Sequence, residues 1–246
     1  MPPDARRGNA DCRETAPDKK SLGHTVRMIK RIFFFLLICV CVSSCASGPL
    51  LQASFDGRES YRSPDFKSIS GGTVLGILTA AGKDGNLEYV KLLGEFVEEA
   101  IKKNRPDLKV IPYWQSLSAI NAQGYTAEYA GMVMDYASTG ILDKKILNKL
   151  AAALKVRYFI QPRLVKFDQR QSTRFSLFGL TLFKTHESQI KIYIEIWDAR
   201  GGELVWIGVA DTNMANEQFK AVPIAFEQVA RYAVENLVKK IPEGGE

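Results

Sequence analysis

The 246-residue chain predicts an α/β (α+β) fold, a mixed sheet of about five strands with helices packed mainly on one side. Three observations lead there. Residues 189–197 alternate strictly: Ile190, Ile192, Ile194 and Ile196 share one side, and Gln189, Lys191, Tyr193, Glu195 and Trp197 the other. That is the pattern of a half-buried antiparallel strand. Residues 86–104 carry apolar side chains at helical spacing. The elements also run β-α-β-α-α-β, then a β-hairpin, then α. A helix crossing between the first two strands favours right-handed parallel pairing, and the later strands pair antiparallel.

Each element has its own signal. Residues 73–78 (Thr-Val-Leu-Gly-Ile-Leu) are a short apolar run, read as a buried strand. Asn86 caps a helix reaching Asn104, with Val90, Leu93, Val97 and Ala100 or Ile101 on its buried stripe. Lys102 and Lys103 complement the dipole at its C-terminus, and Pro106 stops it. Residues 108–113 are a second strand. Residues 116–140 and 143–154 read as two helices broken near Ser138, Thr139 and Gly140. Residues 156–167 are strand-like, with Pro162 requiring a bulge or a free edge. Asp198, Ala199, Arg200, Gly201 and Gly202 form a hairpin loop whose glycines supply positive φ, and residues 203–211 return. The last helix starts near Pro223, ends near Lys240, and buries Phe226, Val229 or Ala230, Ala233, Leu237 and Ile241. Residues 243–246 read as a frayed tail, which leaves 72–242 as one domain.

Ahead of that domain, Lys30 and Arg31 precede eleven consecutive apolar residues, 32–42, followed by Ser43, Ser44 and Cys45. A charged start, a short apolar stretch and small residues at a cleavage point make a secretory signal. Eleven helical residues cover about 16 Å, against a hydrocarbon core of about 30 Å. Val42-Ser43-Ser44-Cys45 resembles the lipobox of bacterial lipoproteins. The resemblance implies that Cys45 receives a diacylglycerol, that residues 1–44 are removed, and that the new N-terminus takes an acyl chain. Two or more chains anchor a protein stably. Residues 28–31 (Met-Ile-Lys-Arg) are a normal start for such a signal. Residues 1–27 therefore read as an overlong gene start or a disordered extension. Ala46 and Ser47, with no early Asp, resemble the outer-membrane class of sorting signals. Residues 45–71, mixed and polar, read as the lipidated Cys and a tether, either loose or docked onto the domain through Leu50, Leu51 and Phe55.

Processing changes the charge. The whole chain has 33 Lys and Arg against 27 Asp and Glu. Residues 1–44 hold eight and four of these, which leaves 25 against 23. That near-balance is no nucleic-acid footprint. Of Cys12, Cys39, Cys41 and Cys45, only Cys45 survives, so neither a disulfide framework nor a cysteine metal site is expected.

Three phrases carry a wider resemblance: the opening strand at 73–78, the helix-to-strand passage at 151–160, and the hairpin at 197–206. The hairpin, with Asp198, Gly202, Glu203 and Trp206, is similar to an Asp-x-x-x-Gly-Glu-x-x-Trp turn. Over about residues 72–241 the chain resembles the superfamily of the curli-secretion lipoprotein and the TolB amino-terminal domain. Activator lipoproteins of penicillin-binding proteins belong to the same group. The resemblance implies a scaffold, regulator or assembly factor of the bacterial envelope; the fold itself does not fix the job.

Between two predicted strands lies an apolar segment, residues 174–184. Phe175, Leu177, Phe178, Leu180, Leu182 and Phe183 stand between Arg174 and Lys184. They read as a partner or membrane contact, or as extensions of the flanking strands. A curli-type channel would need two membrane-crossing hairpins with strands of about 9 to 11 residues. This segment makes barely one strand, and residues 125–145 read as helix.

No GxGxxG, Walker loop, GxSxG, HExxH or CxxC occurs. His186 reads as a solvated loop residue, Glu98 and Glu99 as the wet face of a helix, and Asp198 and Asp211 as turn supports. Tyr193 and Trp197 read as covered by a helix or as an aromatic patch. No catalytic, metal or cofactor residues are expected beyond the lipid on Cys45. The expected function is a non-enzymatic outer-membrane lipoprotein, a protein-binding module for envelope assembly or secretion. It would be held at the periplasmic face by its lipid, with envelope proteins or further copies of itself as partners. No nucleic acid or small-molecule substrate is expected. Alternatives are an oligomeric export-channel subunit and a regulator of peptidoglycan synthases.

Overall fold

The computed structural model describes residues 50–69, 71–82, 87–177, 180–218 and 222–244, with the backbone alone for 50, 173–177, 180–184 and 217–218. Its strands are β1 (Leu50–Arg62), β2 (Val74–Ile77), β3 (Ala81–Gly82), β4 (Lys109–Ile111), β5 (Tyr158–Leu177), β6 (Leu180–Asp198) and β7 (Glu203–Gln218). Its helices are α1 (Leu87–Asn104), α2 (Tyr113–Ala122), α3 (Thr126–Thr139), α4 (Lys144–Leu154) and α5 (Phe226–Val238). One mixed sheet runs in the order β1-β7-β6-β5-β2-β4, and β3 pairs with β5 beyond the end of β2. The α+β mixed sheet is therefore as predicted. The β2–β4 and β2–β5 pairs are parallel; β5–β6, β6–β7 and β1–β7 are antiparallel.

Two apolar clusters hold the layers together. In the larger, the four isoleucines of β6 and Trp206 of β7 pack under α1 and α5. In the smaller, Phe159, Trp197 and Leu78 on the opposite face pack under α2, α3 and α4. The helices on the isoleucine side cover the antiparallel strands. Those on the other side cover only the end nearest β2. Trp206 stands opposite Ile196 in register and shares its face, so it lies away from Trp197 rather than beside it.

The number of strands rises from about five to seven because of β3 and β1. The second corrects the tether reading of residues 45–71, of which 50–62 form a thirteen-residue edge strand. Half-buried Phe55 meets the Tyr232 ring of α5 edge-on at 6.2 Å, and Trp206 Nε1 donates to Glu59 Oε2 at 2.9 Å. An edge strand with one wet face needs few apolar residues, so its composition reads as a linker. The predicted helix over 116–140 is likewise two helices. Gly124, at φ +74°, ends α2 in a left-handed conformation that other residues rarely adopt. Gly140, at φ +72°, caps α3 where the break was expected.

Pro162 lies inside β5, opposite Ile194. The β2 pairing ends at Ile160 and the β3 pairing starts at Arg163, so Pro162 occupies the gap between them. There the Gln161 side chain donates to Thr79 O at 2.9 Å in place of a ladder bond. At the other end of the sheet, buried Arg105 grips Asp107 with two bonds, at 2.9 and 2.8 Å. It also donates to Ile241 O at 3.0 Å, which fastens the segment after α5 to the end of α1. The Asn86 cap lies outside the described residues.

Candidate functional site

Two places emerge, one at each end of β6. The first is the β5–β6 hairpin. Both strands run well past the predicted 156–167 and 189–197, to twenty and nineteen residues. Leu177 pairs with Leu180 at the turn, and Phe175 pairs with Phe183. The apolar segment thus continues the flanking strands as paired backbone. Phe178 and Cys45 lie outside the described residues; Phe175, Leu177, Leu180, Leu182 and Phe183 are placed by their backbone. Among the described residues β7 ends at Gln218, opposite Lys184, and the last four residues of each hairpin strand lie beyond that pair. At about 3.3 Å per residue that is roughly 13 Å, short of a bilayer crossing.

β1 ties the N-terminal side of the domain to the same end. Leu50 stands opposite Glu217, and Glu217 opposite Thr185 at the base of the hairpin. Leu51, 57% exposed, is among the largest bare apolar side chains. His186 is here too, buried within β6 between Gln171 and Asn216 in register, which corrects its reading as a solvated loop residue.

The second place is a buried polar cluster on the face opposite the isoleucines. Glu195, 4% exposed, accepts from Tyr136 Oη at 2.8 Å and from Trp197 Nε1 at 3.2 Å. The Arg163 guanidinium lies 3.4 Å from its other oxygen and 4.7 Å from the centre of the Tyr193 ring. Burial pushes the Glu195 carboxyl above its ordinary value, against the lowering effect of Tyr136, Arg163 and Trp197. Burial and the neighbouring carboxylate hold the Tyr136 phenol above its usual range. An open cavity of about 600 Å³ adjoins the cluster, lined by Gly82, Tyr136, Thr139, Arg163, Leu164 and Tyr193.

Both oxygens of Glu195 are engaged by protein groups. The cluster therefore ties α3 to the sheet. Trp197 is covered, while Tyr193 sits at the cavity under Arg163. The alternation over 189–197 exposed half of this arrangement in the sequence; Tyr136 gave no signal, because α3 brings it in from 59 residues away. Asp198 supports its turn as read, accepting from Arg200 N at 2.9 Å, and also binds Arg157 at 2.6 Å. Glu98 pairs with Lys102 and Glu99 with Arg231. Among the described residues, no helix is long and apolar enough to cross a membrane.

No protein-family profile and no curated protein matches the chain. Several solved structures are similar to it. The PelC dodecamer from Paraburkholderia phytofirmans is 10% identical with a TM-score of 0.44, covering 79% of this chain and 100% of that one. The LpoB C-terminal domain from Escherichia coli is 12% identical with a TM-score of 0.36, covering 58% and 84%. Lipoprotein GNA1162 from Neisseria meningitidis is 10% identical with a TM-score of 0.34, covering 61% and 87%.

Proposed function

We propose that this chain is a non-enzymatic lipoprotein, held at the periplasmic face of the bacterial outer membrane, whose domain binds other envelope proteins. One observation carries the reading. Val42, Ser43, Ser44 and Cys45 close an apolar run led by two cations, five residues before β1 begins. A diacylglycerol on the Cys45 sulfur and an acyl chain on its amino group would supply the anchor. The hydrogen bonds from Tyr136 and Trp197 to Glu195, the most buried acid among the described residues, support a structural role for it.

Metabolic labelling with palmitate tests the anchor. The wild-type chain is expected to take up label and fractionate with outer membrane, and Cys45→Ala to do neither. An unlabelled wild-type protein, soluble in the cytosol with residues 1–44 attached, would overturn the reading. Crosslinking in intact cells then identifies what the domain touches. A domain that captures no envelope protein would remove the binding role while leaving the anchor intact.

A further inference from the structure

We infer that the cavity between the end of α3 and the β3–β5–β6 face binds a small carboxylate-bearing molecule through Arg163. The inference goes beyond the lipid anchor and the partner-binding role and depends on neither.

Three breaks in regular structure open this space. Pro162 interrupts the parallel pairing of β5, and β3 takes it up again at Arg163 and Leu164. A bulge between Leu164 and Lys166 then sets Val165 in the cavity wall, the kind of irregularity that re-aims the side chains around it. On the opposite wall α3 stops at left-handed Gly140. The volume left between them is about 600 Å³, inside the range of about 300 to 1,000 Å³ that takes a whole small molecule.

Arg163 gives the space its chemistry. Its guanidinium lies over the Tyr193 ring and 3.4 Å from Glu195 Oε1. A charge-assisted hydrogen bond is shorter, roughly 2.7 to 2.9 Å. Arg163 Nε is buried and meets no hydrogen-bond partner among the described residues. The side chain is nevertheless 35% exposed at the cavity wall, so this cation has donors left to give. Its planar fork matches a carboxylate. Glu195 offsets part of the charge, so a monoanion suits the site, whereas a dianion would be repelled by the Glu195 carboxylate.

The rim fixes which way round the ligand lies. Ala137, Ser138 and Thr139 form the last turn of α3, whose carbonyls lack partners within the helix and carry its partial negative charge. They repel a carboxylate and accept from a hydroxyl or an amide N–H. The acid group therefore points to Arg163 and the donor groups to α3. An acidic sugar and an N-acylated amino acid both carry that pair of features.

Titration calorimetry on the full-length protein in detergent tests this, with glucuronate and N-acetylglycine as the two probes. At least one should bind one-to-one at millimolar concentration, and the stronger of the two identifies the source of the carboxylate. Its neutral amide should bind at least about tenfold more weakly, as should the acid itself to Arg163→Met. Removing Arg163 also strips Glu195 of its cation, so a second variant leaves that pair in place. Exposed Ala137 lines the cavity, and Ala137→Phe should fill the space and abolish binding while the melting temperature holds. Absence of binding by both acids would overturn the inference. So would equal affinity for acid and amide, tighter binding of inorganic phosphate, or undiminished affinity in Ala137→Phe. None of these outcomes bears on Cys45 or on the capture of envelope proteins.

Discussion

β2 and β6 lie in one sheet and live in different surroundings. Four-residue β2 is paired in parallel on both sides; Leu75 and Ile77 face one apolar cluster, and Gly76 lies under the Phe159 ring in the other. Nineteen-residue β6 is paired antiparallel, and its isoleucines are covered along one face. Among the described residues its other face is covered near Glu195 and Trp197, and beyond them Lys191, Gln189 and Glu187 are half-buried side chains with no described helix over them. A strand covered on both faces is limited by the helices that cover it. One that needs a single apolar face can run on past the core wherever a neighbour supplies its hydrogen bonds.

The sharpest test of that contrast is whether the two ends unfold together. Phe159→Ala empties the doubly covered end, and Ile190→Ala the singly covered one. Each should cost about 2 to 5 kcal/mol in denaturant titrations and shift one common transition. Two separate transitions would break the sheet into independent units.

Next in size is the cluster where the ends meet. Tyr136→Phe leaves Glu195 short of one donor and should cost about 1.5 to 3 kcal/mol. The pH dependence carries a sign. Burial raises the folded Glu195 carboxyl above its ordinary 4.5. Its contribution to stability is therefore present below about pH 4.5 and lost as pH rises through the folded value. Asp107 runs the other way. The Arg105 hydrogen bonds hold it below 3.8, so its contribution is present above that pH and lost on acidification. Glu195→Gln should flatten the decline above pH 4.5 and leave the acid limb, as followed by thermal melts across pH.

Smaller effects locate β1 and the end of α3. Phe55→Ala removes the edge-on contact with Tyr232 and should cost about 1 to 2 kcal/mol. A neutral result would mean that β1 is stapled by its backbone alone. Gly140→Ala meets no neighbouring atom, so only its left-handed conformation opposes it, at about 1 to 2 kcal/mol in the same titrations.

Legibility follows the same contrast. The isoleucine alternation, the stripe of α5 and the Asp198–Gly202 turn were readable because each states its burial locally. Gly202 shows why the turn is strict: it has φ +69°, and a Cβ there would lie 2.5 Å from Lys144 Cβ. β1 and the outer parts of β5, β6 and β7 were not readable. Their order comes from strands distant in sequence, and polar residues such as Gln169, Gln171 and Asn213 satisfy both faces without a pattern. The Glu195 cluster was half readable, since its strand declared itself and Tyr136 did not. At Cys45 the reading rests on sequence alone.

The length of β6 has a mechanical meaning. Nineteen residues at about 3.3 Å each make a strut of up to roughly 60 Å between its two turns. Whatever settles against one turn, the loop at Ala199 to Gly202 is carried that far from it. A protein held at one pole of such a strut presents its other pole at a distance, and shortening β5, β6 and β7 in register would draw that pole inward.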